Sequence, residues 1–238
     1  PGLWMGCILI AATLVMGTTV NGASRWLVVG PLQIQPSELV KPFVVLQAAN
    51  LFAPWTRMAI DQKLLWLASF GGLLLLILKQ PNLSTAALMG LTLWMVALAA
   101  GLRWRSLLGT AFAGGALGTA SILINEYQRL RVVSFLDPWN DPMGDGYQLV
   151  QSLLAIGSGG VMGQGYGLST QKLQYLPIQS TDFIYAVFAE EFGFVGSLML
   201  LLFLMLVAWV GLRVALRCRS NQARLVAIGC CTILVGQS

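Results

Sequence analysis

Seven apolar runs recur along this 238-residue chain, and their lengths constrain its fold more than any other feature. They cover residues 3–20, 36–53, 64–78, 85–102, 107–124, 183–210 and 225 onward. A helix of about 20 apolar residues crosses the hydrocarbon of a bilayer, and there the backbone amides must be satisfied inside the protein. With 57% hydrophobic and only 10% charged residues, a soluble fold is excluded. The chain therefore reads as all-α, a polytopic transmembrane helix bundle of about seven helices, organised as one domain over 1–238.

The connectors differ in character. Residues 21–35 read as a short loop with turns at Asn21-Gly22 and Gly30-Pro31, and 79–84 as another turn. Pro36 suits the first position of a helix. Residues 126–181 are polar and glycine-rich, too long for a plain connector, with two helical pieces expected at 127–136 and 147–156. Between them and the next span, GSGGVMGQGYG at 157–167 reads as irregular backbone. Met162 stands where a dinucleotide-binding fingerprint needs its third glycine, and no Gly-Lys-Ser/Thr of a phosphate loop follows.

Basic residues orient the bundle. Arg57, Lys63, Arg103, Arg105, Arg213, Arg217, Arg219 and Arg224, eight of the fourteen Lys and Arg, fall in loops that alternate helices place on one side. The positive-inside rule makes that side cytoplasmic and puts the 126–181 loop outside. The net charge of +5 is thus accounted for by topology, without nucleic acid. An outward site also argues against nucleotide chemistry, and no haem is expected.

Histidine is absent, which removes Ser-His-Asp, Cys-His and His-ligated metal chemistry. The four cysteines lie in or beside apolar helices and form no metal or disulfide pattern. Carboxylates are the remaining candidates. Asp182 opens an apolar helix, where it reads as a cap, yet Glu190 and Glu191 follow inside the same run. A charge at the bilayer centre costs about 2.5–3.5 kcal/mol, so such acids mark a bundle interior or a wet cavity. Around the helix Glu190 lies about 80° and Glu191 about 180° from Asp182, so the three cannot meet one ligand. Asp182 is expected to face an outward cleft, with the glutamates paired to cations of neighbouring helices. Glu38 and Lys41, three apart near the start of a helix, read equally as a structural ion pair or as a functional one.

At these residues the chain resembles the SEDS family, the RodA and FtsW type of shape, elongation, division and sporulation proteins. The resemblance rests on GASRW at 22–26, QPSELVK at 35–41, GYQ at 146–148, QS at 151–152, AIGSGG at 155–160, GQG at 163–165 and TDFIYAVFAEEFGFVG at 181–196, in family order. It implies a ten-helix fold of which this chain would be a fragment, lacking two helices before Pro1 and the end of the bundle. It further implies a peptidoglycan glycosyltransferase that polymerises lipid II at the outer face of the bacterial cytoplasmic membrane, beside a class B penicillin-binding protein. A lipid II flippase and a scaffold for that partner are the alternatives.

By the same resemblance Asp182 matches the family's essential carboxylate, as base or as ligand of a divalent cation, Mg or Mn. Arg25, Trp26, Glu38, Lys41, Gln148, Ser152, Lys172 and Thr181 are implied as substrate-binding. The chain departs from the family pattern at Asn82, where an acid is common, and at Ile178 and Ser180, where Glu and His are common.

Overall fold

The computed structural model describes residues 2–16, 18–20, 23–29, 32–80, 82–144, 146–168 and 184–237, with the backbone alone for the strands of the first connector. Among them run nine α-helices: α1 (Gly2–Met16), α2 (Pro36–Phe52), α3 (Ile60–Lys79), α4 (Leu83–Ala99), α5 (Trp104–Ile124), α6 (Glu126–Leu136), α7 (Tyr147–Ser158), α8 (Ile184–Arg217) and α9 (Asn221–Gln237). Helices α3, α5 and α8 are each long and apolar enough to cross a membrane. The protein is a multi-pass membrane protein, as the apolar runs require.

Several boundaries differ from the sequence reading: α4 ends at Ala99, α5 begins at Trp104, α8 runs on to Arg217 through part of the expected basic loop, and α9 begins at Asn221. The first span stops at Met16, and the connector is a three-stranded antiparallel ribbon, β1 (Thr18–Val20), β2 (Ala23–Val29) and β3 (Leu32–Ile34), in the order β1-β2-β3. Threonines and valines give these stretches strand propensity, and pairing satisfies backbone that a loop would leave open. The expected turns at Asn21-Gly22 and Gly30-Pro31 lie outside the described residues. The third span begins four residues earlier than its apolar run, at Ile60, with Asp61 in the first turn and Lys79 in the last, as the helix dipole favours.

The chain forms two compact units. One comprises residues 1–125 with 207–238, the other 126–206. In the first, α2 packs against α1, α3, α4 and α9, and its Val40, Val44, Val45, Ala48 and Ala49 are buried. Small residues allow the close approaches: a Cβ on Gly229 of α9 would press on Val45 and Val96, and one on Gly6 of α1 on Val40. The contacts also sort the helix ends. At one end Asn221 donates to the Ala53 carbonyl and Arg224 to that of Ala99, at 3.3 and 3.5 Å, gathering the basic loops that follow α2, α4 and α8. Toward the other end Gln80 donates to the Ile10 carbonyl and to the Thr13 hydroxyl.

The second unit contains a feature that its apolar sequence conceals. Helix α8 is broken at Gly193, whose φ of 63° and ψ of −162° only glycine adopts readily. The glycine segment after α7 fills the break. Phe194 and Val195, whose amides would reach Glu190 and Glu191 in an intact helix, donate instead to Gly160 and Val161 at 2.9 and 3.1 Å. The carbonyls so released accept from Gln164 and Gly165, at 2.9 and 3.1 Å. These two amides and two carbonyls are thereby paired, and Gly163, with φ of 82°, lies so close that a Cβ would meet the Glu191 carbonyl.

Gly193→Ala should destabilise the second unit by about 1–3 kcal/mol or more, since it adds strain and a clash with Gly163. Gly157→Ala, whose Cβ meets nothing within 4 Å, should be nearly neutral. Thermal unfolding with hydrogen exchange at the Gln164 and Gly165 amides measures both; equal protection in the two variants would refute the splice.

Candidate functional site

The first turn of α2 supplies the polar cluster of the first unit. Pro36 starts the helix and Glu38 falls in its first turn, followed by Lys41 on the same face and by Pro42. Pro42 lacks the amide that would bond the Glu38 carbonyl, which loosens the helix at this point. Lys41 Nζ lies 2.6 Å from Glu38 Oε2. A third member comes from α9: Gln237 Oε1 accepts from Lys41 Nζ at 3.1 Å, and Gln237 Nε2 donates to Glu38 Oε2 at 3.1 Å.

Exposure separates the two charges. The Lys41 side chain is 6% accessible and that of Glu38 39%. A buried ammonium needs its charge compensated and its protons bonded, and here one carboxylate and one amide do both. The carboxylate is the member turned outward.

Arg25 and Trp26 lie on β2, which packs against both α1 and α2. Thr18 pairs with Trp26 while Thr19 pairs with Ser24, so a bulge falls at Arg25. Such bulges re-aim a strand locally. This backbone is carried against α2, though more than two hundred residues separate it from Gln237.

The remaining candidates belong to the second unit. Gln148 and Ser152 lie on α7; Gln148 is exposed, and Ser152 is buried with its hydroxyl donating to the Leu149 carbonyl at 2.8 Å. Asp182, Lys172 and Thr181 lie outside the described residues, as do Ile178 and Ser180. Glu190 and Glu191, just beyond Asp182 in sequence, are both buried, and their carbonyls join the splice at Gly193. Asn82, the amide where an acid is common, caps α4 by accepting from the Thr85 amide at 3.3 Å.

Sequence reasoning missed two participants. Gln237 is a polar residue closing an apolar helix, and only contact with α2 gives it meaning. The break at Gly193 is signalled weakly, by Phe-Gly after two glutamates and by the glycine run upstream.

A family model described as cell cycle protein, of the FtsW, RodA and SpoVE type, matches residues 1–238. The chain belongs to the FtsW/RodA/SpoVE family. Relatives in this family include a probable peptidoglycan glycosyltransferase FtsW of Synechocystis sp., 59% identical over 94% of this chain and 57% of its own length. A putative peptidoglycan glycosyltransferase FtsW of Mesostigma viride is 47% identical over 98% of this chain and 55% of its own. Among solved structures, one reported as the structural coordination of polymerization and crosslinking by a peptidoglycan synthase complex aligns with a TM-score of 0.74 at 31% identity, covering 98% of this chain and 66% of that one. The crystal structure of Thermus thermophilus rod shape determining protein RodA aligns at 0.65 and 28%, over 98% and 61%. The chain thus spans little more than half the length of the FtsW relatives it matches.

The unequal burial of the ion pair has a measurable consequence. Glu38→Ala strands a buried ammonium and should cost about 1–3 kcal/mol of stability, whereas Lys41→Ala leaves a half-exposed carboxylate that water can solvate and should cost less. Unfolding midpoints of the two variants in one detergent check the order, and the reverse order would contradict the burial.

Proposed function

We propose that this chain forms the core of a peptidoglycan glycosyltransferase that polymerises lipid II. The observation that carries the reading is its 59% identity, over 94% of its length, to a relative named as such an enzyme. The alignment with a peptidoglycan synthase complex supports it, and so does the polar cluster at the end of the bundle opposite the basic loops. In this reading the basic end is cytoplasmic, the 126–181 segment lies on the outer face of the bacterial cytoplasmic membrane, and a class B penicillin-binding protein cross-links the product.

The chemistry required is modest. A sugar hydroxyl of one substrate attacks the anomeric carbon of another, the bond to the lipid diphosphate breaks, and the hydroxyl proton passes to a base. Asp182 is the proposed base, the acid of the 181–196 motif that precedes the apolar run in sequence. Lys172, Thr181, Arg25, Trp26, Gln148 and Ser152 are proposed substrate contacts. A divalent cation, Mg or Mn, would neutralise the leaving diphosphate if bound. Asp182 is the proposed ligand of that cation, as the alternative to its role as base.

Full-length protein with its cross-linking partner should polymerise purified lipid II, and Asp182→Asn should lower the rate about a hundredfold or more, the usual contribution of a general base. Glycan length on gels, with and without divalent cation, measures this. Undiminished polymerisation by Asp182→Asn would remove the catalytic assignment, and translocation between leaflets of vesicles without polymerisation would favour a flippase.

A further inference from the structure

We propose that the cleft at the basic end of the first unit binds an anionic phosphate group, held by the Arg57 guanidinium, the Thr56 hydroxyl and the side-chain amides of Asn50 and Gln222. The cleft has a volume of about 520 Å³ and is lined by Asn50, Ala53, Pro54, Thr56, Arg57 and Gln222. It lies where the end of α2 and the short 3-10 helix Trp55–Arg57 meet the first turn of α9. These residues take no part in the glycosyl transfer proposed above.

The walls of the cleft are fixed by hydrogen bonds. Asn221 donates to the Ala53 carbonyl at 3.3 Å, and Arg224 braces Asn221 Oδ1 at 2.6 Å. The Arg57 amide donates to the Pro54 carbonyl at 2.9 Å and closes the turn. Gln222 Nε2 donates to Asn50 Oδ1, joining α9 to α2. That bond leaves the Asn50 amide N–H groups, the second N–H of Gln222, the Thr56 hydroxyl and the Arg57 guanidinium as the donors of the lining. No carboxylate lines the cleft, so it offers a cation no compensating charge. An anion with several acceptor oxygens suits it instead, and a guanidinium takes a phosphate through two parallel hydrogen bonds.

The surroundings reinforce the choice. Residues 53–63, 100–105 and 213–224 carry eight Lys and Arg against a single acid, Asp61. Helix α2 ends at the cleft and α9 begins there, so their dipoles offset one another and the side-chain charges set the potential. Aromatic rings mark the depth: Lys63 Nζ lies 5.2 Å from the centre of the Trp55 ring, and the Arg213 guanidinium 4.4 Å from that of Trp209. Tryptophan beside basic side chains is the pattern of helix ends at headgroup level, where basic pockets between helices take phospholipid head groups. A lipid phosphodiester and a soluble phosphate are thus two sources of the same ligand chemistry.

The test uses the full-length protein in detergent, titrated with phosphatidylglycerol against phosphatidylcholine by native mass spectrometry, and with inorganic phosphate by calorimetry. Arg57→Gln should weaken binding about tenfold, the loss of hydrogen bonds to a charged group. Arg105→Gln removes the same charge from the same end but outside the cleft, and should change the affinity less than about twofold because exposed charges at a distance are screened. Thr56→Val, which alters no charge, should give a smaller loss. Arg57-dependent retention of phosphatidylglycerol over phosphatidylcholine identifies the lipid as the source, and Arg57-dependent binding of inorganic phosphate alone identifies a soluble one.

Equal losses in Arg57→Gln and Arg105→Gln would make the preference a property of the whole basic end, and binding of neither probe would leave the cleft without a ligand. Either result overturns the proposal. Unfolding midpoints of the variants identify any that fail to fold, and Thr56→Val then carries the test. Binding in detergent is read whichever way the protein faces and whether or not it polymerises, so failure of the glycosyltransferase reading is distinguishable from failure of this site.

Discussion

Inside a bilayer no water is available to satisfy a backbone that leaves its helix, so each interruption must be repaired by protein. The break at Gly193 shows the rule in operation. Two amides and two carbonyls leave the α8 ladder, and the segment 160–165 supplies two carbonyls and two amides in return. The exchange is reciprocal, each segment satisfying backbone groups of the other. Glycine is needed on both sides, for the backbone angles at Gly193 and for the close approach at Gly163.

The same economy governs the polar side chains of the first unit. Gln80 is buried, and it is bonded to α1. Asn82 caps α4, and Lys41 is enclosed by Glu38 and Gln237. The Gln80 and Gln237 contacts join elements distant in sequence, so these polar residues tie the ends of helices together. Along the shafts small residues do that work, as at Gly229 against Val45 and Val96. In this unit most basic side chains collect at one end and the Glu38 cluster lies at the other.

Much of this was legible beforehand, but unevenly. The apolar runs predicted the helices, and the two pieces expected inside the long loop appear as α6 and α7, one residue longer at the start of the first and two at the end of the second. The ion pair of Glu38 and Lys41 follows from a three-residue spacing on a helix. What escaped were features without a periodic signal: a ribbon of three short strands, the break in an otherwise unbroken apolar run, and a glutamine near the end of α9. Short strands pair through partners that local propensity does not specify. A helix break is a relation between two segments some thirty residues apart.

By itself the sequence determined that the chain crosses a membrane repeatedly, which ends of its helices carry positive charge, and that any chemistry must proceed without histidine. Those properties depend on composition and on spacing along one helix, where 3.6 residues per turn convert sequence into geometry. Only the tertiary structure decided that Lys41 is enclosed while Glu38 is half-exposed, that Gln237 holds both, and that residues 160–165 complete a helix to which they do not belong. Burial and reciprocal hydrogen bonding arise between segments, and no local rule reports which segments will meet.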